Sequence, residues 1–198
     1  MIDKFSKIQK TVIIIGGVSV VLLITYLIRK RMQQSTKTTQ KIQKSVLLLG
    51  GLDTRAGDKN IEEQVEMMKK GFGKDIKITG FRYFNKDGIL KELEKNKNSF
   101  VVLFSAGCAY AETVAKKIVE VGGKLSDMYI LEPYAASQNT ATSVQNAVKL
   151  GVPSQNVFVG SWKGTGLGVV ANATPTPQCT PGHWCSLTEV SKKIANLV

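Results

Sequence analysis

Histidine occurs once in the 198-residue chain, at His183, and cysteine three times, at Cys108, Cys179 and Cys185. Cys179, His183 and Cys185 lie close together in sequence, but a fourth ligand is missing and their spacing matches no common zinc site. No metal and no cofactor is expected. Carboxylates are also scarce, with 15 Asp and Glu against 27 Lys and Arg, for a net charge of +12. An imbalance of that size points first to nucleic acid, but its distribution argues otherwise. Residues 1–44 hold nine Lys and Arg against one acid, Asp3, whereas the rest of the chain holds eighteen against fourteen. A nucleic-acid binder would carry its basic face on the folded domain. Nucleotide fingerprints are absent as well: Gly164, Gly166 and Gly168 fit neither GxxxxGK[ST] nor a glycine loop after the first strand, and read as a flexible loop. The chain has no internal repeat.

The basic N-terminal segment encloses the longest apolar run. Residues 1–10 form a basic tail. Residues 11–28, TVIIIGGVSVVLLITYLI, carry no charge and end before Arg29, Lys30 and Arg31. A helix of that length spans about 27 Å, close to the hydrocarbon thickness of a bilayer. Small residues at a cleavage site would mark a signal peptide, but Arg-Lys-Arg-Met follows instead. The expectation is one retained transmembrane helix in a single-pass membrane protein, with residues 29–44 as a basic, polar tether. Six Lys and Arg lie between the span and the domain, against three before it, which assigns the C-terminal domain to the cytoplasmic or internal side.

Residues 45–198 alternate short apolar runs with amphipathic segments. The runs predict five strands, at 46–49, 76–83, 100–104, 128–131 and 157–159. Helices are expected at 61–72, where Asn60 is a candidate cap, and at 87–95, 111–121, 140–150 and 187–198. This pattern predicts an α/β domain with a doubly wound, mainly parallel five-stranded sheet. A glycine- and proline-rich stretch at 160–182 is expected to be loop. Ligands of such sheets sit at the carboxyl ends of the strands. At the third of these ends, Phe100–Phe104 runs into Ser105-Ala106-Gly107-Cys108 and then directly into helical spacing. Small residues at such a corner let the chain turn, and enzymes often mount a nucleophile there.

Three segments together resemble the α/β-hydrolase superfamily. LLLGG resembles the strand and glycine loop that supply an oxyanion amide, VVLFSAGCAYA the nucleophile strand, elbow and helix, and GHWCSLTEVSKKIANLV the late loop with the catalytic histidine and the last helix. The resemblance implies His183 as base and backbone amides at Gly51 and Cys108 as oxyanion donors. Laid over Ser105-Ala106-Gly107-Cys108-Ala109, the family's small-x-nucleophile-x-small elbow puts Gly107 at the nucleophile position, where there is no side chain to attack. Centring on Cys108 puts Tyr110 at a small position, and centring on Ser105 puts Leu103 there. The candidate acid is Glu132, after the fourth strand.

Each candidate also has a plainer reading. Cys108 is either a helix-start thiolate or a buried packing residue, and Ser105 either a nucleophile or a local hydrogen-bonding group. His183 is either a base or a loop histidine, and Glu132 either an acid or a turn cap. The spacing of Cys179 and Cys185 permits a disulfide that staples the His183 loop. Such a bond is unusual in a reducing compartment and would imply the opposite topology or maturation in an oxidising assembly. Asn172-Ala173-Thr174 is a glycosylation sequon. The empty elbow favours a membrane-anchored structural or interaction protein on an inactive hydrolase-like domain, as in a membrane-containing virus particle. Its expected partners are the bilayer and other protein subunits. The alternative is a membrane-bound ester or thioester hydrolase using Cys108 or Ser105 with His183.

Overall fold

A computed structural model describes residues 45–53, 59–73, 76–134, 138–160, 171–175 and 182–196. The chain divides into two compact units, Met1–Gln43 and Lys44–Val198, and every described residue belongs to the second. The expected span, its flank Arg29, Lys30 and Arg31, and the tether lie outside the described residues. Among the described residues, no helix is long and apolar enough to cross a membrane.

Six parallel strands form one sheet. They are β1 (Val46–Leu49), β2 (Ile78–Phe81), β3 (Phe100–Phe104), β4 (Met128–Leu131), β5 (Val157–Val159) and β6 (Thr174–Pro175), in the spatial order β2-β1-β3-β4-β5-β6. The expectation of five strands is therefore corrected to six. The extra strand is only two residues long and lies within the stretch expected to be loop. Thr174 Oγ1 fastens it by donating to the Gln155 carbonyl at 2.7 Å. Pro175 cannot donate to a ladder, and is tolerated because β6 is an edge.

The helices are α1 (Ile61–Phe72), α2 (Lys86–Lys95), α3 (Ala111–Glu120), α4 (Gln138–Leu150) and α5 (Gly182–Ala195). Side chains alternate along the strands, so β1–β5 each feed two cores. Leu47, Leu49, Val101, Leu103, Met128, Ile130 and Val157 pack with residues of α2, α3 and α4. Val46, Leu48, Phe100, Val102, Phe104, Tyr129 and Leu131 pack with residues of α1 and α5. With both faces covered, β1, β3, β4 and β5 read as unbroken apolar runs.

Two local features bear on the site. Asn60 caps α1 through a capping box: its Oδ1 accepts from Glu63 N at 2.8 Å, and Glu63 Oε2 accepts from Asn60 N at 3.1 Å. Helices α1 and α5 cross closely at Gly71, where a Cβ would lie 2.5 Å from Ser191 Cβ and 3.0 Å from Lys192 N. Thr188 Oγ1 ties the pair by donating to Met67 O at 2.8 Å. Helix α5 begins at Gly182, five residues earlier than the expected Leu187, so His183 sits in its first turn and not in the preceding loop.

The winding reverses between β1 and β3. From β1 the chain moves outward to β2, then returns past β1 to β3 and continues in the other direction. The crevice at that reversal, beyond the carboxyl ends of β1 and β3, is where sheets of this kind bind ligands.

Candidate functional site

The end of β3 is the sharpest feature of the backbone. Phe104 is extended at φ −125°, and Ser105 follows at φ 52°, in the left-handed region. A 3-10 turn over Ser105–Tyr110 then leads directly into α3. Glu132 ends β4 in the same way, at φ 49°. Neither residue is a glycine, and such conformations cost roughly 1–3 kcal/mol each. Strands β3 and β4 are neighbours with Phe104 opposite Leu131, so Ser105 and Glu132 are the next residues on each. Neighbouring parallel strands lie about 4.8 Å apart. Two strained polar residues thus stand side by side on one rim of the sheet, 5 % and 2 % exposed.

His183 completes the group. Its Nδ1 lies 3.8 Å from Glu132 Oε2. Its ring stacks on Phe104, the residue before Ser105, with centroids 4.7 Å apart and planes at 26°. Trp184 packs against both rings, 5.4 Å from Phe104 and 5.5 Å from His183. The carboxylate of Glu132 has room because β5 is followed by glycine: a Cβ at Gly160 would sit 2.5 Å from Glu132 Oε1. Strands β3 and β4 thus set Ser105 and Glu132 side by side, and α5 places His183 against Glu132 and against Phe104, the neighbour of Ser105.

Cys108 is not part of that group. It is fully buried in the α3 and α4 core, and its thiol donates to the Leu131 carbonyl at 3.4 Å. Burial pushes the thiol well above its ordinary range, which suppresses the thiolate that attack requires. Its packing role is the plainer of the two readings given above. Gly107 does not occupy the strained corner either. It is the second residue after Ser105, and its own requirement is steric: a Cβ there would lie 2.5 Å from Leu49 O and 2.6 Å from Gly50 O. The corner thus centres on Ser105, with Leu103 at the position expected to be small and buried without conflict in the core.

Of the expected oxyanion donors, Gly51 lies against the corner, since a Cβ on it would be 3.0 Å from Ser105 Cβ. Its N–H, however, donates to Gln64 Oε1 at 2.8 Å. With Ser105 at the corner, the elbow pattern would shift the donor expected at Cys108 to Ala106, the residue that follows the corner. Arg82 braces the same rim with a bidentate pair to Asp53, at 2.5 and 3.1 Å, and lies over the Phe84 ring at 4.8 Å.

Cys185 is disulfide-bonded and Cys108 is free. Cys179, the other half of the expected staple, lies outside the described residues, as do Gly164, Gly166 and Gly168. No cluster of His, Cys, Asp or Glu able to hold a metal occurs among the described residues.

The sequence reading missed Gln64 and the aromatic clamp on His183. Gln64 carried a signal, being a polar residue one turn from Ile61 and Met68 on the apolar face of α1. Comparison with protein-family models, curated proteins and solved structures returns no match to this chain.

Proposed function

We propose that this chain is a membrane-anchored serine hydrolase acting on esters or thioesters, with Ser105 as nucleophile, His183 as base and Glu132 as the carboxylate that orients His183. The observation that carries it is the pair of left-handed residues, Ser105 and Glu132, on adjacent strand ends with His183 beside Glu132. Folds retain such strain mainly where function needs it. The chain order Ser105, Glu132, His183 matches the nucleophile–acid–histidine order of α/β-hydrolases, and the strand-to-helix elbow at Ser105 fits the same superfamily. Anchoring rests on the uncharged run at 11–28 and its basic flanks. The larger C-terminal flank favours the cytoplasmic or internal side for the domain, whereas the disulfide at Cys185 favours maturation under oxidising conditions.

In this reading, His183 Nε2 takes the Ser105 proton as Oγ attacks the carbonyl carbon. The Ala106 amide and an amide of the segment after β1 bind the developing oxyanion. Collapse expels the alcohol or thiol, which leaves with the proton held by His183, and water then hydrolyses the acyl-serine by the same steps. The Glu132–His183 separation of 3.8 Å is longer than a hydrogen bond and closes on substrate binding, as catalytic contacts commonly do. Glu132→Gln is expected to lower kcat by about 10³-fold, because the amide no longer fixes the histidine tautomer. Steady-state hydrolysis of p-nitrophenyl acetate by the full chain in detergent measures this. An unchanged kcat would remove Glu132 from the mechanism.

The same 3.8 Å gap, with Leu103 at a position the elbow keeps small, favours a second reading. In it the chain is a structural or interaction subunit of a membrane-associated assembly, and its hydrolase-like site is idle.

A further inference from the structure

The segment after β1 is held by a side chain with no other task. Gln64 lies on the inner face of α1, 0 % exposed. Its Oε1 accepts from Gly51 N–H at 2.8 Å, and its Nε2 donates to the Lys59 carbonyl at 2.7 Å. Gly51 and Lys59 stand near the two ends of the connection between β1 and α1, so one buried amide ties down both. The approach is close: a Cβ at Gly50 would lie 2.6 Å from Gln64 Oε1. A Cβ at Gly51 would meet Ser105 Cβ at 3.0 Å. The backbone is therefore held between Gln64 on one side and Ser105 on the other.

An amide that donates to Gln64 is not available to a substrate. The next amide, Leu52 N–H, donates to no other described residue. We propose that Gln64 is a positioning residue for acyl transfer, setting the backbone after β1 so that Leu52 N–H, and not Gly51 N–H, meets the oxyanion beside Ala106 N–H. This inference rests on the hydrolase reading above. Gln64 has no contact with substrate and acts through the loop it holds. An apolar residue of similar shape would fill the space but leave the buried Gly51 N–H and the part-buried Lys59 carbonyl unpaired, and the loop would shift to re-pair them.

The test compares the full chain with Gln64→Met and Gln64→Glu in p-nitrophenyl acetate hydrolysis. For Gln64→Met, kcat is expected to fall about 10²-fold with KM within about threefold, since the lost donor acts on the transition state and not on ground-state binding. Gln64→Glu keeps an acceptor for Gly51 N–H and is expected to recover at least about tenfold of that loss. A folded Gln64→Met with wild-type kcat, or with its whole effect in KM, overturns the proposal. If Gln64→Met does not fold, Leu52→Pro removes the assigned donor directly, and a wild-type kcat there overturns it equally. A wild-type protein without turnover defeats the hydrolase reading itself, and this inference with it. Turnover in the wild type that is insensitive to Gln64 and Leu52 defeats only the inference.

Discussion

Ser105→Gly is expected to be more stable than Ser105→Ala, the reverse of the usual order, while both lose hydrolysis. Elsewhere in a fold, alanine exceeds glycine by roughly 0.5–1 kcal/mol because glycine loses more backbone freedom on folding. At φ 52° the balance changes, since a Cβ in the left-handed region costs about 1–2 kcal/mol. The glycine variant sheds that cost and the alanine variant keeps it. In a chain of this size each kcal/mol is worth roughly 2–4 °C in melting temperature, so thermal unfolding resolves the pair. Under the proposed mechanism, activity falls by about 10³-fold or more in both, because nothing replaces the Ser105 hydroxyl. Stability that follows the ordinary order would mean that Ser105 is not held in a strained corner.

Gly107→Ala is expected to be strongly destabilising, at about 3 kcal/mol or more. The added Cβ would lie 2.5 Å from Leu49 O and 2.6 Å from Gly50 O. Both oxygens are backbone atoms at the buried end of β1, and the Gly50 amide is already bonded to Phe81 O at 2.9 Å. No flexible side chain can yield. Relief requires the elbow to move away from β1, which also separates Ser105 from Gly51. The expected drop in melting temperature is roughly 6–12 °C, with loss of hydrolysis greater than instability alone explains. A drop below about 1 kcal/mol would show that the corner packs more loosely than described.

These two residues also show what the sequence could and could not reveal. Strands β1 and β3–β5 were legible because a sheet covered on both faces needs apolar residues at every position, as in Phe100–Phe104. Strand β6 was not legible. Two residues, one of them a proline, leave no apolar run, and they join the sheet through a ladder and one threonine hydroxyl. The start of α5 was misjudged because Gly182 and His183 are indifferent helix formers, and their place is set by packing against Phe104.

The elbow frame depended on a quantity that residue types do not carry. Two small residues flank Gly107, so a pattern centred there looked best. The turn itself is made at Ser105, by its φ angle, and glycine is needed at 107 because of two carbonyls more than fifty residues earlier in the chain. For Cys108 the residue type leaves a helix-start thiolate and a buried packing residue both open, and the α3 and α4 core together with the Leu131 carbonyl show it to be enclosed. Glu132 and His183 were readable as candidates, but their meeting depends on Gly160 making room and on α5 beginning early.

The most direct measurement is mass-spectrometric mapping of the full chain after treatment with a fluorophosphonate, which phosphonylates activated serines. A single adduct on Ser105, lost in His183→Ala, is the predicted result. An untouched Ser105 in folded protein, or an adduct that survives without His183, would contradict the assignment of Ser105 as an activated nucleophile.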